Sequence, residues 1–126
     1  MHRTWVIVAD ARRARLFSHS RSGNREHFVE HIDLFHARSE ELAREVVAAF
    51  VDLADNTHPQ RIVLCANATT LATLRAELAA ARSTVPRIEI ERDLVDRTPK
   101  EVRAYLLAAE HLPSNNRMFE LTAAMK

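Results

Sequence analysis

The sequence predicts a mixed α/β domain: one five-stranded sheet in the order 3-2-1-4-5, its three amino-terminal strands antiparallel, with about three helices packed on it. Three features carry this expectation. The one glycine of the chain, Gly23, stands between two strand-like runs. Residues 61–66 form an apolar run of strand length with no alternation. Three later stretches repeat apolar residues at helical spacing.

Thr4 to Ala9 is rich in β-branched residues and reads as the first strand, joined to Ala14–His19 through the short link Asp10 to Arg13. Gly23 then marks a hairpin with Ser22-Gly23 at its tip. Pairing positions that sum to 45 sets Phe17 opposite Phe28, Arg15 opposite Glu30 and His19 opposite Glu26, with Leu16 opposite Val29 on the other face. Ser39, followed by Glu40 and Glu41, is the expected N-cap of a first helix running to about Asn56, whose apolar positions include Leu42, Val46, Phe50 and Leu53. Arg61–Ala66, apolar on both faces, belongs at the sheet's centre. Asn67 is placed to cap a helix carrying Leu71, Leu74 and Leu78, and Pro86 opens a strand over Arg87–Glu91. Thr98, Pro99 and Glu101 together spell a capping box with proline at the first helical position, ahead of a stripe of Val102, Tyr105, Leu106 and Ala109. The tail from Pro113, with Met118, Phe119, Leu121 and Met125, stays open as a docked helix, a dimer contact or a frayed end.

A chain of 126 residues has the size of one domain, here 1–126 with a core over about 4–110 and a tail over 113–126. The 18 Lys and Arg against 17 Asp and Glu leave a formal charge of +1, so binding to nucleic acid would need a local patch. One cysteine, Cys65, excludes an internal disulfide and reads as a small buried hydrophobe in a reducing compartment. The apolar run near Met1 is too short for a secretory or membrane-spanning segment, so no membrane is expected and the protein is expected to stay in the cytoplasm.

Helical crossovers join parallel strands with a right-handed sense, which makes the fourth strand a parallel neighbour of the first. Open sheets of this kind bind ligands beyond the carboxyl ends of such strands. The candidate rim is therefore Asp10, Arg12 and Arg13 after strand one, Asn67, Thr69 and Thr70 after strand four, and Arg92 and Asp93 after strand five. A helix amino terminus beside two guanidinium groups suits an anion; the alternative is a cap and ordinary turn residues. Arg15, Arg21 and Arg25 extend a basic patch that could meet RNA phosphates.

Five of the seven histidines lie within the first 36 residues, but His27 and His31 are roughly 13 Å apart along a strand and His19 faces the other way, so no metal site is expected. This strand order also occurs in ribonuclease H-like nucleases, where clustered carboxylates hold two metal ions; here Asp10 and Asp93 stand isolated. No nucleophile elbow or phosphate loop can be built with one glycine, and neither a cofactor nor a catalytic residue is assigned.

The run from Trp5 to Asp10 with Ala14 to Phe17, then Ser39 to Glu45, Arg61 to Ala66 leading to Leu71 to Arg75, and Arg92 to Leu94 with Thr98 to Glu101, resembles the bacterial host attachment protein family. That family is similar to the middle domain of archaeal and eukaryotic class I peptide-release factors, which has a ribonuclease H-like sheet. The Gly-Gly-Gln tripeptide that release factors use for hydrolysis does not occur here. The resemblance thus implies the scaffold without its hydrolytic tip, and a non-catalytic binding role at the ribosome or on structured RNA. Two alternatives stand beside it. One is a protein-interaction factor related to host attachment, engaging a partner or a second copy of the chain through the tail; the other is a metal-dependent hydrolase using Asp10 and Asp93.

Overall fold

A computed structural model describes residues 2–112. Its elements run β1 (His2–Ala9), β2 (Arg13–Ser22), β3 (Arg25–Phe35), α1 (Ser39–Ala54), β4 (Arg61–Ala66), α2 (Ala68–Ala80), β5 (Arg87–Glu91) and α3 (Pro99–Ala108). The sheet has the order β3-β2-β1-β4-β5, with β1, β2 and β3 antiparallel and β1, β4 and β5 parallel. This is the expected mixed α/β sheet of ribonuclease H-like type. The tail residues Met118, Phe119, Leu121 and Met125 lie outside the described residues.

Because side chains alternate along a strand, each strand of the middle of the sheet feeds two cores. One face carries Trp5, Ile7, Leu16, Ile62 and Leu64 against Leu42, Val46 and Phe50 of α1 and Leu71, Leu74 and Leu78 of α2. The other carries Val6, Val8, Phe17, Val63 and Cys65 against Val102 and Leu106 of α3, with Leu94, Val95 and Leu112. Burial on both faces explains why residues 62–66 show no alternation. It also pushes the Cys65 thiol up to about 12.

The β2–β3 hairpin corrects the expected register. The two-residue turn is Gly23-Asn24 rather than Ser22-Gly23, with Gly23 at φ +61° as in a type II′ turn, and the pairs near it sum to 47: Phe17 faces Glu30 and His19 faces Phe28. A shift of two keeps every side chain on its face. Three of the anticipated pairs therefore still meet, diagonally: the Phe17 and Phe28 rings stack at 5.1 Å, Arg15 reaches Glu30 at 2.8 Å and His19 reaches Glu26 at 2.7 Å, whereas Leu16 faces Ile32 and Val29 is exposed opposite Ser18. Between Leu16 and Phe17 the register slips again, from Ile32 to Glu30, so that His31 is a bulge residue.

Three helix expectations also change. Ser39 is the first helical residue rather than the cap; Arg38 holds the cap position without a side-chain bond, while Glu40 and Glu41 face the positive end of the helix. Leu53 is exposed and Ala54 takes the buried place, because the helix turns 100° per residue away from the stripe of Val46, Val47 and Phe50. Ala109 is exposed beyond the last turn of α3, leaving Val102 and Leu106 as its buried residues. The caps at Asn67 and Thr98 form as read, Asn67 Oδ1 accepting from the Thr70 amide at 2.8 Å and Thr98 with Glu101 closing a reciprocal box.

Candidate functional site: the carboxyl edge of the sheet

Parallel pairing of β1 with β4 and of β4 with β5 brings the loops after all three strands to one edge. They do not form one rim. A cleft of about 370 Å³ lies on the α1/α2 side, lined by Ala11, Ser39, Asn67, Ala68, Thr69, Thr70 and Thr73. A second, of about 440 Å³, lies on the α3 side and includes Arg92, Asp93, Arg97, Glu101 and Tyr105. The edge of the sheet stands between them, so Asn67, Thr69 and Thr70 are joined with the β1–β2 loop, and Arg92 and Asp93 are not.

The two aspartates considered for metal chemistry are both turn-builders. Asp10 Oδ1 accepts the amides of Arg12 and Arg13, each at 2.8 Å, and Asp93 Oδ1 accepts the Val95 amide at 3.1 Å. Among the described residues no group of three or more His, Cys, Asp or Glu side chains is placed to hold a metal ion. His31 instead bonds Ser18 at 2.7 Å and lies against Trp5, and its protonation is disfavoured by burial and by Arg3. No helix among the described residues is long and apolar enough to cross a membrane.

The arginines separate into distinct environments. Arg13 makes a two-pronged bond to Asp33 at 2.9 and 2.8 Å, approaches Asp96 at 3.4 Å and lies over the Phe35 ring. The Arg13 hydrogen bonds hold the Asp33 carboxyl below its ordinary value. Arg15, expected on a basic surface, is buried: its guanidinium donates twice to Glu30 and to the carbonyls of Val95 and Arg97, fastening the β5–α3 loop across β2. Arg21 pairs with Glu26 at 3.3 Å, Arg25 is exposed at the opposite end of the sheet, and Arg92 stacks over Tyr105. The ten residues of β2 put roughly 30 Å between its two turns. The basic patch is thus broken up, and Arg12, next in sequence to the Ala11 that lines the first cleft, is exposed.

A cluster the sequence reading did not assemble lies on the α3 face. Burial would raise the Glu26 carboxyl, but Arg103 and His19 both donate to it and hold it at about 2. Burial in turn lowers the basicity of His19, whose Nδ1 has no partner while Nε2 meets Glu26. Arg103 is 77 residues from Glu26 in sequence, and no local pattern announces such a pair.

Comparison with solved structures places two forms of the Aquifex aeolicus Ppx/GppA enzyme among its neighbours. One is 12% identical over 70% of this chain and 36% of its own, with a TM-score of 0.51. The other, the type II variant of that phosphatase, is 13% identical over 71% of this chain and 36% of its own, again at 0.51. RuvC of Thermus thermophilus aligns at 10% identity over 68% of this chain and 61% of its own, with a TM-score of 0.41. This chain spans about a third of the Ppx/GppA chains, and the likeness is one of fold. No curated protein matches in sequence. Residues 18–106 match the family described as "Protein required for attachment to host cells", which takes in the second half of β2, then β3, α1, β4, α2 and β5, and most of α3, but not β1. The chain belongs to this host attachment family.

Proposed function

We propose that the protein is a non-catalytic binding factor that engages structured RNA, including that of the ribosome, at the carboxyl edge of its sheet. The observation that carries this is the meeting of the β1–β2 loop, with exposed Arg12, and the amino terminus of α2 in one cleft. The release-factor middle domain that the family resemblance implies, here without Gly-Gly-Gln, points in the same direction. Cosedimentation with ribosomes at low and high salt tests it, since phosphate contacts weaken steeply as salt rises. Wild type in the ribosome fraction at low salt, and less of an Arg12→Glu variant, is the expected result; absence of wild type at low salt refutes the reading.

A second reading follows from the family description, attachment to host cells, and makes the chain a protein-interaction factor. It is favoured by β3, an edge strand that exposes Phe35 at 69% and Val29 at 45%. Cells carrying Phe35→Asp would then attach to host cells less than cells carrying wild type, and equal attachment would count against it.

A further inference from the structure

We propose that His19 is a proton-gated latch: while its ring is neutral α3 stays closed on the β2–β3 hairpin, and when the ring takes up a proton α3 lifts away. The starting observation is an orphaned atom. The ring is 0% exposed, Nε2 meets Glu26 at 2.7 Å, and Nδ1 is buried without a hydrogen-bond partner.

The Glu26 carboxyl is held ionised and can only accept, so in the neutral ring the proton belongs on Nε2 and Nδ1 is a bare lone pair. A second proton would turn Nδ1 into a charged donor with nothing to donate to, and only water could satisfy it. The surrounding charges offer no acceptor. Glu26, from β3, is already shared with Arg103 of α3 and with Arg21 of β2, and both guanidinium groups oppose a further positive charge. The Phe28 ring lies 6.3 Å away, and β1 presents Thr4 opposite His19, which does not titrate.

Water must therefore reach Nδ1 by moving a wall, and the walls differ in how they are held. β2 is paired along its length with β1 and β3. Among the described residues the backbone hydrogen bonds of α3 are all local, and the helix is held on the sheet by side chains: Val102, Leu106, and Arg103, which donates through Nε and Nη2 to Glu26. Its amino-terminal end is anchored, since Arg15 bonds the Val95 and Arg97 carbonyls just before the Thr98 cap. The helix can swing from that end, and the carboxylate that α3 must release is the one that orients His19.

Burial sets the direction of the response. It holds His19 below its ordinary 6.5 in the closed form, whereas a ring in water regains that value. Closure is fully present above 6.5 and is lost as pH falls through the closed-form value; between the two, each pH unit raises the open fraction up to about tenfold, one proton being taken up per opening.

Hydrogen–deuterium exchange of the full chain from about pH 7.5 to 5, each rate divided by the intrinsic rate at that pH, reads the opening. The α3 amides should be less protected than those of β4, which wait for global unfolding, and should lose protection below pH 6.5. In His19→Gln, whose amide N–H can stand where Nε2 does and cannot titrate, α3 protection should stay level across this range. Should that variant not fold, Arg103→Met, at a side chain 36% exposed, gives a second reading: α3 protection about tenfold lower at pH 7.5, with β4 still the better protected. Equal protection of α3 and β4 at every pH, an acid response of α3 that persists in His19→Gln, or α3 protection untouched by Arg103→Met overturns the latch.

Discussion

Replacing Arg15 with methionine tests the most consequential buried interaction of the fold. The guanidinium side chain is 4% exposed and holds Glu30 at 2.8 and 3.0 Å, the Val95 carbonyl at 2.9 Å and the Arg97 carbonyl. Methionine keeps the length of the side chain but leaves the carboxylate without its partner and two carbonyls without their donor. Breaking a buried pair costs about 3–5 kcal/mol, and Glu30 at 24% exposed recovers some solvation, which puts Arg15→Met near ~3 kcal/mol. Removing the carboxylate as well, in Arg15→Met with Glu30→Leu, leaves only the carbonyls unbonded at about 1 kcal/mol each. The double variant should therefore cost no more than the single one. Urea unfolding followed by the fluorescence of Trp5, the one tryptophan and 2% exposed, reads this directly. With a slope of ~1.5–2 kcal/mol per molar urea, the single variant should lose about 1.5–2 M of midpoint. A loss under about 0.5 M would refute the view that Arg15 clamps the β5–α3 loop.

Acidification should act in two separate windows. His19 has a folded pKa below its unfolded value near 6.5, so the stability it lends is present above that value and is lost as pH falls through the folded pKa; His31 shares this window. Glu26, held at about 2, lends stability above its unfolded value near 4.5 and loses it toward pH 2. A slope of stability between pH 7 and 5 that is unchanged in His19→Leu would contradict the first. Thr98→Ala removes one half of the capping box and should cost about 1 kcal/mol in the same unfolding assay. Arg82→Gly should stabilise by roughly 1 kcal/mol, because Arg82 holds φ +57° in the turn that ends α2, where Ser83 bonds back to Leu78 at 3.1 Å. Cys65 should resist a thiol reagent until the chain unfolds; prompt labelling of the native protein would contradict its burial.

The elements legible in the sequence were those specified by a few adjacent residues. Thr98, Pro99 and Glu101 satisfy a helix start among themselves, Asn67 needs only the amide of Thr70, and residues 61–66 announce their double burial by what they lack. The hairpin was half legible. Alternation carried the face of Phe17, Arg15 and His19, but the register depended on which residues turned at Gly23 and on a bulge at His31 that no composition signals. The candidate rim was legible as loops and not as a site, since the sheet edge that divides Arg92 and Asp93 from Asn67 and Thr70 is set by which face each helix packs on.

By itself, then, the sequence determined the kinds of elements, their order in the sheet and the face of most strand residues, because these follow from spacing and from contacts between near neighbours. Only the tertiary structure decided what covers each face. Arg15 is buried because a loop 80 residues later crosses over it, and the Glu26 carboxyl is held at about 2 against its burial because a helix 77 residues later delivers Arg103 beside His19. Thr70 lines a cleft because Ala11 and Ser39 come to stand beside it. Periodicity reports direction, and depth is a property of the segments that arrive from elsewhere in the chain.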